Sequence, residues 1–586
     1  MRSKLPLRPT LPVLLLLAVP ALVVSACLLF GMGPVLGPFN AHFYFNNDNF
    51  NFVLPKLAIL KHSLDLGQFP LWNALEGAGQ PLFATGSKPV FSLPLLHLLP
   101  GLDFMILIGQ IHAAVAMLVF YSLARELGIS GRGSALGALA WALSGYHALY
   151  LHDITLLGTN MWMPLALLAW LRYARGGSAL LWLAVGAAAV CLQEVGGRPP
   201  DFMYNMIFLS LFIANDRIQG ASGPAAALRR LVRPAAAIAL AVGLGLLLSA
   251  AHLFPFIEFL TTSQRFEEVY HLAPTRYLGW RSLLGLISVQ PFPGTDLFIG
   301  MATIPLVAAS WRLRRQPRHR FLFWTMAVAT ALVLPLGLFD LVRLLPMLAG
   351  IDTSFRAIPF LNFSAAMLAG MGFDDLFPEA GPAGKRPGAD RILLYLPLAL
   401  FGSQVIAFGA MQWRAPSPLH LAQVLAAALT LGACLASRRW AAAGRPGPAF
   451  LALFPALFIA LFLGNQVMPK GDPSAGLGRL DPAAIPESFR FVAEQSRSDL
   501  FRAYPLPSAR EMAFTLPGLG VQQPTVYEAA PPIPAKNMIL RMRNGSPFPG
   551  IFDVNNVRYL LGRAGDIPGW AMERYPVRMQ GKDGSI

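Results

Sequence analysis

Apolar runs close to membrane-spanning length follow one another along most of the chain, with short polar loops between them. They stand at about 11–33, 104–124, 133–151, 155–171, 178–193, 202–215, 234–257, 297–311, 321–339, 357–373, 391–411, 419–437 and 448–467. A helix rises about 1.5 Å per residue, so roughly 20 apolar residues cross a hydrocarbon core about 30 Å thick. The pattern predicts an all-α polytopic membrane protein with about 13 transmembrane helices over residues 1–467. From Met468 the sequence turns charged and proline-rich. There ESFRFVAEQSR has helical spacing and NNVRYLL reads as a strand, which predicts a small mixed α/β domain over 468–586.

The loops divide into two alternating sets. One set carries Arg125 and Arg132, Arg172 and Arg175, Arg217 with Arg229, Arg230 and Arg233, Arg312 to Arg320, Lys385 and Arg386, then Arg438, Arg439 and Arg445. Short loops rich in Lys and Arg stay on the cytoplasmic side, so these loops and the N-terminus are assigned there. The other set has few such clusters but holds Asp48, Glu76, His152, Asp153, Glu194, Arg198, Asp201, Arg265, Arg276 and Arg356. It is assigned outside, together with the C-terminal domain, in a multi-pass membrane protein.

Composition narrows the class. Of 586 residues, 55% are hydrophobic and only 13% charged, well below the roughly 25% charged residues of soluble domains. The net charge of +16 comes from arginines in short loops rather than from a basic patch on a soluble domain, so it signals topology and not a nucleic-acid partner. Cys27, Cys191 and Cys434 all fall in apolar runs without metal-ligand spacing. The basic start and the run ending at Cys27 resemble a lipoprotein signal, but the apolar run continues through LLFGMGPVLG, which fits a spanning helix instead.

The first outer loop, 34–103, opens with AHFYFNNDNFNFVL, where Asp48 stands alone among asparagines and phenylalanines. After Pro55, Leu57, Leu60 and Leu64 share one helical side, while Lys56, Lys61 and His62 lie towards the other. A helix lying in the membrane interface fits this pattern. The following GQFPLWNALEGAGQPLFATGSKPVF is broken by glycines and prolines. Irregular backbone at membrane depth is tolerated only where protein buries it or where it lines a wet cavity, so this loop is expected to wall an outer cavity.

Several blocks, in order, carry a family resemblance: NNDNFNF, LGQFPLWNALEGAGQPL, SLARELGISGRG, MWMPLALLAW, GGRPPDFMYN, RAIPFLNFSAAMLAGMGFDDL and DVNNVRYLL. Together they resemble the YfhO-type bacterial membrane proteins. The resemblance implies a GT-C architecture and transfer of a sugar from a polyprenyl-phosphate carrier, at the outer membrane face, to an envelope polysaccharide or lipid acceptor. It also implies that an acid in the first outer loop serves as base or metal ligand; the matching position here is Asp48. No DxD stands there, only NND.

Such a transfer needs a carboxylate for the acceptor proton, cations for the leaving phosphate and an apolar groove for the prenyl chain. Asp48 is the candidate base, against a role as a turn former. Asp153, beside His152, is a candidate ligand for Mg²⁺ or Mn²⁺ together with Asp48, or else part of a polar turn. Glu194, Arg198 and Asp201 in QEVGGRPPDFMYN form a dense cluster for phosphate or sugar; its structural alternative is an internal ion pair. Arg356 is the first choice for the leaving phosphate and otherwise a snorkelling anchor. Asp374 and Asp375 fall on the cytoplasmic side and read as a helix end. The competing classes are a flippase for lipid-linked saccharides and an envelope-assembly scaffold.

Overall fold

The computed structural model describes residues 11, 12, 15, 18, 59, 60, 63, 64, 67–69, 71–73, 75, 80, 81, 101–149, 154–196, 199–219, 221–261, 275–286, 297–344, 354–378, 389–412, 418–443, 445–466, 487–496, 502–505 and 557–561. The chain divides into two compact units. The first comprises 1–35, 107–249 and 273–469, and the second 36–106, 250–272 and 470–586.

Numbered in chain order, the helices are α1 (Gly101–Glu126), α2 (Gly131–Ala142), α3 (Gly145–Leu149), α4 (Ile154–Met161), α5 (Met163–Ala174), α6 (Ala179–Val195), α7 (Pro199–Ile218) and α8 (Pro224–Leu248). They continue with α9 (Ala250–Thr261), α10 (Thr303–Ser310), α11 (Pro317–Val333), α12 (Leu338–Val342), α13 (Ile358–Leu376), α14 (Ala389–Gln412), α15 (Pro418–Ala442), α16 (Pro446–Gln466) and α17 (Glu487–Ser496). From residue 101 to 466, each apolar run holds a helix or a pair of helices. Three runs read as continuous are broken, between α2 and α3, at Trp162 between α4 and α5, and at Ser249 between α8 and α9. The second break precedes Pro164, whose missing N–H suits a helix start. Two boundaries also move. Helix α8 starts ten residues before the run at 234, because its first turns carry Arg229, Arg230 and Arg233, good helix formers that hydropathy skips. Residues 297–302 precede α10 rather than belonging to it.

In the first unit, α13 is the axis: every residue is buried except Asp374 and Asp375. It packs on α2, α10 and α11. Glycines permit the approach. A Cβ on Gly372 would lie 1.8 Å from the Leu306 carbonyl oxygen of α10, and one on Gly133 would lie 2.5 Å from the Gly370 carbonyl oxygen. Aromatic rings fill the remaining space, with Phe363 at 5.4 Å from Phe120, 5.5 Å from Trp141 and 5.4 Å from Phe208. Between helices in lipid the tails are as apolar as the side chains, so such close packing is the stabilising term.

The outermost helices are apolar outward as well. Of α8 only Pro234, Ala237 and Gly245 are buried, while Leu228, Val232, Leu240, Leu247 and Leu248 are exposed. That surface suits lipid rather than water. Among the described helices, α8 is the one long and apolar enough by itself to cross a membrane; α6, α9, α14 and α16 hold shorter apolar stretches.

The second unit contains two small sheets. Strands β1 (Trp72–Asn73) and β2 (Gln80–Pro81) pair antiparallel, Trp72 against Pro81. Strands β3 (Arg502–Pro505) and β4 (Val557–Leu561) pair parallel, with a register shift between Arg502 and Ala503. Helix α17 lays Phe489 and Val492, three residues apart on one face, onto Ala503 and Leu561. The helix and strand read in the tail thus stand in α17 and β4. Ile59 and Leu60, of the expected interfacial helix, are helical and buried.

Candidate functional site

Two ends of the first unit are polar. Helix α13 spans about 28 Å from Ile358 to Leu376 and connects them. One end gathers Glu126 with Arg172 and Arg175, Asp216 with Arg318, and Asp375 with Arg312. The other gathers Asp201, Arg356 and their neighbours. Each of these ion pairs joins residues from the same alternate loop set.

The second end is built by helix starts. Pro199 opens α7, where its missing N–H costs nothing, and Asp201 sits in the first turn, where a carboxylate complements the helix dipole. Arg356 lies in a short 3₁₀ turn, Ser354–Ala357, that leads into α13. Ser354 fixes this turn by donating its hydroxyl to the carbonyls of Arg276 at 3.0 Å and Val333 at 3.1 Å. The Arg356 Nη1 then stands 2.9 Å from both Asp201 carboxylate oxygens. Asp201 is 2% exposed and Arg356 14%. Desolvating two charges is costly unless they are paired and hydrogen-bonded, so each holds the other in place.

One turn along α7, Tyr204 faces the same region. It is buried, its hydroxyl has no hydrogen-bond partner among the described residues, and the charges of Arg356, Asp201 and Arg343 all act on it. Arg343, just past α12, is 7% exposed and donates from Nη1 to the Thr275 hydroxyl at 2.8 Å. Thr275 donates in turn to Asp340, whose other carboxylate oxygen accepts from Tyr277 at 2.8 Å. These two hydroxyls, and the Arg343 charge after them, hold the Asp340 carboxyl below the usual carboxylate range. A buried and a half-buried guanidinium and a phenol therefore converge on one end of the unit, a donor set suited to phosphate oxygens.

Glu194 is buried near the end of α6. Its neighbour Gln193 accepts from the Asn205 amide at 3.0 Å, and that amide also donates to the Thr159 carbonyl at 3.3 Å, tying α4, α6 and α7 together. Gly196 does let backbone approach closely, but the partner is Gly158: a Cβ there would lie 2.2 Å from the Gly196 carbonyl oxygen.

Of the residues singled out in the sequence, Asp201 and Arg356 are brought into contact. Asp48, His152, Asp153 and Arg198 lie outside the described residues, so the metal pair Asp48 and Asp153 does too. Among the described residues no group of three His, Cys, Asp or Glu side chains could hold a metal ion. Tyr204, Asn205 and Arg343 went unnoticed in the sequence. The first two sit in an apolar run at three and four residues from Asp201, and polar groups at such positions are functional candidates in themselves.

The apo structure of ArnT from Cupriavidus metallidurans matches this architecture at a TM-score of 0.50, with 14% identity, over 86% of this chain and 84% of that one. The fold is GT-C. ArnT bound to undecaprenyl phosphate matches at 0.49 with 15% identity over 86% of this chain and 84% of ArnT. The apo oligosaccharyltransferase of Archaeoglobus fulgidus matches at 0.46 with 13% identity over 94% of this chain and 69% of that one. No family model and no curated protein sequence matches the chain. Within this fold, the Asp201–Arg356 pair and its neighbours occupy one end of the α13 bundle.

Proposed function

We propose that the chain is an integral-membrane glycosyltransferase that moves a sugar from polyprenyl phosphate to a cell-envelope acceptor at the outer membrane face. One observation carries the reading: a buried and a half-buried arginine gather, with a phenol that has no hydrogen-bond partner among the described residues, at one end of a fold like that of ArnT. It is supported by the resemblance to YfhO-type proteins and by ArnT, which has been solved with undecaprenyl phosphate bound. In the proposed reaction an acceptor hydroxyl attacks the anomeric carbon from the face opposite the phosphate. The carbon–oxygen bond to phosphate breaks with inversion, the acceptor proton passes to Asp48, and polyprenyl phosphate leaves with the bonding pair. Arg356 and Arg343 steady the growing phosphate charge. Asp201 positions Arg356, and Arg198, Glu194 and His152 are assigned to the sugar. Asp153 joins Asp48 if Mg²⁺ or Mn²⁺ is required. About 13 transmembrane helices, a cytoplasmic N-terminus and an extracytoplasmic α/β domain complete the proposal.

The test compares cells with and without the gene for envelope glycans and for carrier-linked sugars, and repeats the comparison with Asp48→Asn. A carrier-linked sugar that accumulates on deletion, and again with Asp48→Asn at normal membrane level, is the expected result. No change in either pool overturns the reading, and retained transfer by Asp48→Asn removes Asp48 from it.

A further inference from the structure

The opposite end of the first unit holds a cavity of about 530 Å³, walled in part by Gln219, Arg318, His319, Asp374 and Asp375. Helix α11 begins there. Its first residue is Pro317, and Gln316 makes no side-chain cap. The amides of Arg318 and His319 have no intrahelical acceptor at that position, so the positive end of the dipole is left for an anion. A second observation points the same way. His319 is only 7% exposed, yet neither ring nitrogen is hydrogen-bonded among the described residues, and the buried Gln219 amide nitrogen is likewise unpartnered.

The cavity is not simply an anion site, because two carboxylates share its wall. Asp374 accepts the Ser130 backbone N–H at 2.6 Å and the Ser130 hydroxyl. Asp375 stands 4.0 Å from Arg312. Arg318 is turned to Asp216, at 2.8 Å from Nη2. Asp374 is thus satisfied by Ser130, while the buried Asp375 Oδ2 accepts no hydrogen bond among the described residues, so an anion at the α11 start and a hydrogen-bond-donating cation at Asp375 together complement the wall. Burial keeps the His319 pKa low, with the Asp375 charge opposing this and that of Arg318 reinforcing it. A neutral imidazole can donate to the anion at one nitrogen and accept at the other.

We propose that this cavity binds a phosphate monoester or diester carrying a primary ammonium group, the chemistry of phosphoethanolamine. The source is either the headgroup of phosphatidylethanolamine or free phosphoethanolamine. The phosphate meets the α11 amides, His319 and Gln219, while the ammonium meets Asp375. No covalent step is involved, and the site lies about 27 Å from Arg356 along α13, away from the proposed transfer site.

The full chain, purified in detergent, is incubated with phosphatidylethanolamine, phosphatidylcholine or phosphatidylglycerol, and retained lipid is measured by mass spectrometry. Free phosphoethanolamine and phosphocholine are tested by calorimetry. Retention of phosphatidylethanolamine above the other two lipids is expected, reduced about tenfold by His319→Ala through one lost hydrogen bond and reduced also by Asp375→Asn. Binding of free phosphoethanolamine without lipid preference supports the same site with a soluble source. If His319→Ala does not fold, Gln219→Ala replaces it. Equal binding of the ethanolamine and choline compounds overturns the ammonium assignment. Wild-type affinity in the folded variants, or no binding of either source, overturns the site.

Discussion

The two ends of the α13 bundle are both charged, yet they hold charge in different ways. At the Arg318 end the arginines reach solvent while their acids are largely covered: arginine and acid are 34% and 15% exposed in Arg318–Asp216, and 40% and 9% in Arg175–Glu126. At the Arg356 end the pair is sealed, with 14% and 2% exposed. A pair whose cation stays in solvent contributes little, at about 0–1 kcal/mol. A buried pair gives scant net stability over an apolar packing, but removing one partner strands the other charge. The first arrangement anchors helix ends cheaply. The second places polar groups where only a ligand gives them added value.

The largest contrast should come from matched alanine variants. Arg356→Ala leaves the Asp201 carboxylate buried alone and is expected to cost about 3–5 kcal/mol, seen as a lowered thermal midpoint, together with loss of sugar transfer. Arg318→Ala should cost about 1 kcal/mol or less and leave transfer intact. A double change, Asp201→Leu with Arg356→Met, should recover most of the stability and none of the transfer; active protein would reduce the pair to structure alone. Next in size is Gly133→Ala, which thrusts a methyl at the Gly370 carbonyl and should destabilise by about 1–3 kcal/mol, measurable by the same melting assay.

Tyr204→Phe tests the buried end more finely. Its hydroxyl has no partner among the described residues, so deleting it should not lower the melting temperature. A roughly tenfold loss of transfer rate, one hydrogen bond to phosphate, is expected from steady-state assays, and an unchanged rate would remove Tyr204 from the site. The smallest effect concerns His319. Its folded pKa lies below the ordinary 6.5, so its contribution to stability is present above that value and is lost as pH falls. Melting temperature should decline from pH 7 towards pH 5, and the decline should be shallower in His319→Gln.

Much of this contrast was legible in the sequence, for a physical reason. Apolar runs report helices because lipid and core both demand them, and Arg-rich loops alternate because membrane insertion sorts charge. Asp201 and Arg356 were visible as expensive groups near an apolar boundary. Their contact was not, since 155 residues separate them and nothing local encodes which helix starts will meet. Arg343 gives no signal of its own, because an arginine just beyond an apolar run looks like any snorkelling anchor. The break at Ser249 was hidden because hydropathy remains high through Leu248 and beyond. Conversely, Asp374 and Asp375 carry the sequence signature of a helix end, yet they help to wall a cavity.

The burial of α13 on every side has a consequence for biogenesis. A helix with no lipid-facing surface cannot settle at the bundle's edge; it must enter a slot already formed. Its partners α2, α10 and α11 all precede it in the chain, so they emerge from the ribosome first and can stand ready when Ile358–Leu376 is made. Helices α14 to α16 follow it. Synthesis order and packing order coincide at α13, and a circular permutant that makes this helix before α2 should reach the membrane yet assemble slowly.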